Sequence, residues 1–132
     1  MTFWLKGLGH ARRPLPARWL EDGSPRSLRR TGFPRRPRIE PGDRLVYYAS
    51  VWQRVFAIAE AVQEPARTEH PRWPWTITVE PLLVIPDLEL APPVEAIGVF
   101  PRSMSQQSHI RLTADQYERA VEALASIAAQ PS

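Results

Sequence analysis

Proline, at fifteen of 132 residues, does most to limit how this chain can fold. Its ring fixes φ and removes a backbone donor, so it is kept out of helix interiors and out of the middle of sheets. Six of the prolines and nine of the sixteen arginines fall between residues 10 and 41, where hydrophobic periodicity fails. A stretch of that length without regular structure is uncommon in a compact domain, and marks a functional or disordered excursion. Elsewhere proline punctuates. Pro41-Gly42 reads as a turn, with proline at the first central position and glycine at the positive-φ second. Pro81 interrupts a strand-like run and demands an edge or a bulge. Pro86, Pro92 and Pro93 mark a loop, and Pro131 lies just beyond the last helical pattern.

Between these marks the regular runs are short. Residues 3–7 read as an opening strand, and residues 17–20, around Trp19, as a brief one. Residues 44–50 and 55–63 read as a hairpin that turns near Trp52-Gln53. Its second strand carries Ala57, Ala59 and Ala61 on one side, a small-residue face of the kind found where a small barrel curls. Trp75, Ile77 and Val79 alternate with Thr76, Thr78 and Glu80, the period of a half-buried strand, which continues through Leu83 to Ile85. A helical turn is expected near residues 94–97 and a last strand at residues 109–112. Thr113 then opens a capping box with Gln116, and Tyr117, Ala120, Val121, Leu124 and Ala128 follow at helical spacing.

The length suits one domain spanning residues 1–132, with residues 10–41 as a long excursion. Cysteine is absent, which excludes a disulfide framework, a thiolate metal site and a cysteine nucleophile. No apolar run approaches the 18–20 residues or so of a membrane span, so the expected location is the cytoplasm. The arginine excess over the single Lys6 is the codon signature of a GC-rich, bacterial genome, but its placement carries information. Residues 1–44 hold eleven basic and four acidic side chains, a net of +7, whereas residues 45–132 sum to −4. A segment of that charge suits an acidic partner such as nucleic acid, and equally an acidic protein surface.

Enzyme motifs are missing. Gly7-Leu8-Gly9 lacks the rest of a phosphate-binding loop, and there is no nucleophile elbow. His10, His70 and His109 are scattered, and no metal site is expected. A processing enzyme would have to use His70 or His109 as its general base. The tryptophans say more. Trp4 lies in an apolar strand and belongs to the core, while Trp19, Trp52, Trp73 and Trp75 sit at strand ends or beside proline. Such residues either plug the ends of a small barrel or wall a pocket that stacks a planar group.

Several segments together resemble the EVE family of the PUA-like superfamily, relatives of the YTH readers of methylated adenosine. Phe3-Trp4-Leu5-Lys6 is similar to the family's opening "WLLKS", and Pro41-Gly42-Asp43-Arg44-Leu45-Val46-Tyr47-Tyr48 to its glycine–aspartate strand. Ile58-Ala59-Glu60-Ala61-Val62 resembles "GIAEV", Pro71-Arg72-Trp73 resembles "PRW", and residues 108–117 resemble the closing strand and helix start. The resemblance implies an α+β fold, a PUA-like small curled β-barrel with flanking helices, and a binding module, not a catalyst. It implies a pocket for a flipped-out, modified base, with Trp19 and Trp73 as cage walls, Trp52 and Trp75 nearby, and Ser50, Gln107 and Ser108 facing the base edge. No cofactor is implied. Arg29, Arg30, Arg35 and Arg36 are the candidate phosphate contacts, with Phe33 between the two pairs; the same basic segment could instead dock a protein partner. The chain departs from the family at Gly7, where serine is usual, at Ala57, where glycine is usual, and after Trp19, where a Pro/Arg-rich stretch stands in place of the family motif. An interaction module with a vestigial pocket is the alternative reading.

Overall fold

The computed structural model describes residues 1–9, 15–19, 29–105 and 107–128. They form one mixed sheet of seven strands, β1 (Phe3–Leu8), β2 (Arg30–Phe33), β3 (Arg44–Ala49), β4 (Arg54–Ala61), β5 (Ala66–Arg67), β6 (Trp75–Val84) and β7 (His109–Leu112). A helix, α1 (Ala114–Ala128), closes the described chain. The strand order is β2-β6-β4-β3-β1-β7, with the short β5 pairing β6. Only β1 and β3 run parallel, in register from Phe3↔Arg44 to Leu8↔Ala49.

Two register shifts bend this sheet, at Tyr47/Tyr48 between β3 and β4 and at Ile58/Ala59 between β4 and β6. An extra residue in one strand bends it and sharpens its twist. The second shift lies beside Pro81, which pairs with Ala59 while Leu83 pairs with Ile58. The proline therefore sits at a bulge. Ala57 and Ala59 face Tyr47 and Leu45 in register, and all four are buried. Short side chains there leave room inside the curl for the Tyr47 ring. The two outer strands of the sheet come together at one end, where the rings of Phe33 (β2) and His109 (β7) meet edge to face at 5.1 Å.

The capping box forms as the sequence predicts. Thr113 N donates to Gln116 Oε1 at 2.9 Å, and Gln116 N donates to Thr113 Oγ1 at 3.1 Å. Helix α1 then lays Tyr117, Ala120, Val121 and Leu124 toward the sheet, with Tyr117 stacked on Phe3 at 4.2 Å. Ile127 completes that face; Ala128 is exposed.

Two expectations need correction. β2 lies inside the stretch read as aperiodic. Residues 17–19 form no strand, while Leu20 lies outside the described residues. The helical elements beside the sheet include α1 and the 3-10 turns at Val94–Ile97 and Pro101–Met104. No helix among the described residues is long and apolar enough to cross a membrane.

Candidate functional site

Parallel β1 and β3 end side by side, and their carboxyl ends open onto a cleft of about 850 Å³. Ser50 N donates to Leu8 O at 2.9 Å, tying the two ends together. One wall is the β3–β4 turn, with Ser50, Val51 and Gln53; the other is the turn Pro101–Met104 with Ser105 and Gln107. Tyr48 and Met104 supply buried apolar surface, and Arg102 stands exposed on the rim. Burial, then the negative charge of Glu95, holds the Tyr48 phenol above its usual pKa, so it stays a neutral hydroxyl at physiological pH. Gly7 lies behind the cleft. A Cβ there would stand 3.4 Å from Met104 Cε, 3.7 Å from Ser108 O and 3.8 Å from Ser50 Oγ. These are ordinary van der Waals distances, so a serine Cβ would fit there beside Met104.

The β3–β4 turn is strained. Val51 has φ 74° and Gln53 φ 56°, the two non-glycine residues with positive φ among those described. For a β-branched residue this is a true outlier, costing about 1–3 kcal/mol, and such strain persists only where surrounding bonds enforce it. Those bonds are present. Gln53 N donates to Ala49 O at 2.9 Å, Val94 N donates to Gln53 O at 2.9 Å, and the Trp52 indole donates to Leu15 O at 2.7 Å.

A second cluster lies on the other side of β1. Lys6 is 3% exposed, and its ammonium sits 4.8 Å from the Phe33 ring centre and 5.7 Å from that of Trp73. Its hydrogen bond goes to Gly7 O at 3.1 Å. His109 contacts both Trp4 and Phe33, and its Nδ1 lies 2.7 Å from Ser108 Oγ. Burial, then the Lys6 charge, lowers the His109 pKa, which makes the ring neutral at pH 7. Trp73 is held by its own loop. His70 Nδ1 accepts from the backbone N–H of both Arg72 and Trp73 at 3.1 Å, and Thr68 Oγ1 donates to Trp73 O at 3.0 Å. A His70→Ala variant should keep the global fold but lose amide-exchange protection at Arg72 and Trp73, since the acceptor of both N–H groups is gone. Unchanged protection at those two amides would show that the loop is held by other means.

The structure sorts the candidate residues. Ser50 and Gln107 line the cleft, and Ser108 backs it through Gly7 N, which donates to Ser108 O at 3.0 Å. Trp19 is wholly buried, its indole donating to Ile85 O at 3.1 Å and its ring meeting Phe56 at 4.9 Å. It is therefore core, not a cage wall. Trp73 is 40% exposed, belongs to the cluster around Lys6, and lies outside the cleft lining. Trp52 buttresses the turn, and Trp75 lies under the guanidinium groups of Arg36 and Arg67 at 5.1 and 5.7 Å. Arg29 and Arg30 stand at the start of β2, whereas Arg35 and Arg36 follow its end, beside Phe33. All four are exposed. Tyr48, Val51, Arg102 and Met104 are cleft residues that sequence reasoning did not single out; the unusual signal was a tight turn at 50–53 without glycine or asparagine. His10 lies outside the described residues, among which no cluster of three or more histidines or carboxylates could hold a metal.

No protein-family model matches the sequence, and no curated protein does. Solved structures do. A protein from Agrobacterium tumefaciens shares 14% identity over 99% of this chain and 97% of its own, with a TM-score of 0.58. One from Rhodopseudomonas palustris shares 13% identity over 96% of this chain and 94% of its own, with a TM-score of 0.57. Human THYN1 protein, solved in complex with 5-methylcytosine-containing DNA, shares 15% identity over 99% of this chain and 100% of its own, with a TM-score of 0.52. At such identities the likeness is one of fold. The chain has an α+β, PUA-like fold built on a small curled sheet.

Proposed function

We propose that this chain is a nucleic-acid-binding module of the EVE type, which takes one modified base, flipped out of its stack, into the cleft at the ends of β1 and β3. The observation that carries the reading is the chemistry of that cleft. Its volume of about 850 Å³ falls within the range of roughly 300–1,000 Å³ typical of ligand pockets. Apolar surface from Tyr48 and Met104 suits the face of a planar ring, the thioether making favourable contact with aromatic groups. Ser50, Gln53 and Gln107 offer donors and acceptors to its edge, and Arg102 offers charge to the flanking phosphate. The complex of THYN1 with 5-methylcytosine-containing DNA supports the same partner class and makes methylcytosine the first base to test. Exposed Trp73 is then a stacking platform for a neighbouring nucleotide, not a wall of the pocket.

The test is a titration of labelled oligonucleotides that differ only in methylation of one cytosine. Wild type should prefer the methylated strand. Ser105→Trp, a substitution at an exposed lining residue, should fill the cleft and remove the preference while the protein stays folded. Arg102→Gln should lower affinity for both strands alike and reduce the salt slope by about 0.7, as expected for one lost single-strand phosphate contact. Equal binding of both strands by wild type and Ser105→Trp would contradict the reading. As a module that binds and does not cleave, the protein should leave RNA and DNA intact with or without divalent metal.

A further inference from the structure

Val51 joins three properties that are seldom found together. It is an apolar side chain 57% exposed, it lies on the rim of the cleft, and its backbone is held at φ 74°. A valine on an exposed turn contributes nothing to the core, and glycine or asparagine would satisfy this backbone without strain. The turn that presents it is fixed rather than loose, through the bonds of Gln53 N to Ala49 O, of Val94 N to Gln53 O and of Ser50 N to Leu8 O. The Trp52 indole anchors the far side on Leu15 O. The molecule thus carries a short, rigid, apolar point beside a concave site. A base that leaves a duplex for such a site opens a gap in the stack, and apolar side chains that insert between base steps occupy gaps of this kind.

We infer that Val51 is a wedge that fills the gap left by the flipped base, so that the cleft acts on bases within duplex nucleic acid as well as in single strands. This rests on the cleft being a base pocket. With the base seated against Tyr48 and Met104, Val51 stands at the rim where the strand passes, and Arg102 on the opposing turn can meet the backbone phosphate. An apolar group there replaces the lost stacking partner of the neighbouring base pair without reading its identity.

Val51→Gly tests this, because glycine accepts the turn and removes the side chain. Wild type and variant are titrated with the same methylcytosine oligonucleotide, once as a single strand and once as a duplex carrying 2-aminopurine next to the methylcytosine. The wedge predicts that the variant loses at least about tenfold more affinity for the duplex than for the single strand, a factor equivalent to about 1.4 kcal/mol. It also predicts a rise in 2-aminopurine emission on binding of wild type that the variant does not reproduce. Duplex binding equal to wild type, or equal losses for both substrates, would overturn the wedge and leave the base pocket standing. Binding of single strands alone by wild type would overturn it as well. Failure of wild type to bind either substrate would remove the base pocket itself, and the wedge with it.

Discussion

Replacing Lys6 with methionine should stabilise the protein at pH 7 by about 1–3 kcal/mol. Lys6 is 3% exposed, and burial lowers its ammonium from the ordinary 10.5 to about 8. The unfolded chain holds that proton more tightly than the folded one. Below pH 8 the folded state therefore carries the cost of a buried charge, and the cost fades as pH rises toward 10.5. At about 1.36 kcal/mol per pH unit the ceiling is close to 3 kcal/mol, reduced by the attraction of Phe33 and Trp73 for the cation. Wild type should gain stability between pH 8 and 10.5, and Lys6→Met should not. His109 titrates below this window. Tyr47 and Tyr48, whose phenols burial raises above the ordinary 10, keep their protons in the folded state while the unfolded chain loses them from about pH 10. That lowers the stability of both proteins alike at the top of the window, so the difference between them isolates Lys6. Urea unfolding of both proteins at pH 7 and pH 10 checks the expectation. Parallel curves at both values would mean that the amine is solvated.

The second large effect is expected at Asp43. Its Oδ1 accepts from Thr2 N at 2.9 Å, and its Oδ2 from the Trp4 indole and Glu40 N, both at 3.0 Å. Burial pushes this carboxyl up, but the donors of Glu40, Thr2 and Trp4 outweigh it and hold the pKa below its ordinary 3.8. Three donors converge on one side chain that joins the Pro41-Gly42 turn to the start of β1. Asp43→Ala leaves all three without an acceptor and should cost about 3 kcal/mol, near the top of the range for single substitutions. Asp43→Asn, which keeps one oxygen, should cost less. In wild type the stabilisation is present above pH 3.8 and disappears as the pH falls through the folded value. Thermal melts of the two variants at pH 7 give the ranking, and an Asp43→Ala protein as stable as wild type would remove the carboxylate from this role.

The fold was legible where local patterns carry it. β3 and β4 show continuous apolar runs, β6 shows apolar alternation and α1 shows its capping box, because each is specified by residues next to one another in the chain. β2 was not legible. Arg30-Thr31-Gly32-Phe33 has one large apolar residue, and it becomes a strand only by pairing with residues 75–78, some forty positions away. Gly32 shows why this segment is not interchangeable with any four residues: a Cβ there would come within 2.8 Å of Trp73 Cβ. The candidate site was legible in part. Ser50 and Gln107 flank regular elements and could be placed, whereas Tyr48, Arg102 and Met104 meet only because the Pro101–Met104 turn folds back over the ends of β1 and β3. Trp19 misleads for the same reason. Its proline-rich surroundings suggest a rim, but its partners, Phe56 and Ile85 O, lie in distant segments that bury it.

The central claim, that a base enters the cleft at the ends of β1 and β3, is tested most directly by amide and methyl chemical shifts recorded while a methylcytosine-containing oligonucleotide is added. The largest changes should fall on Gly9, Ser50, Val51, Gln53, Ser105 and Gln107 and on the Met104 methyl, with smaller ones at Trp73. Changes confined to residues 29–38 or to α1, with the cleft signals unmoved, would contradict it.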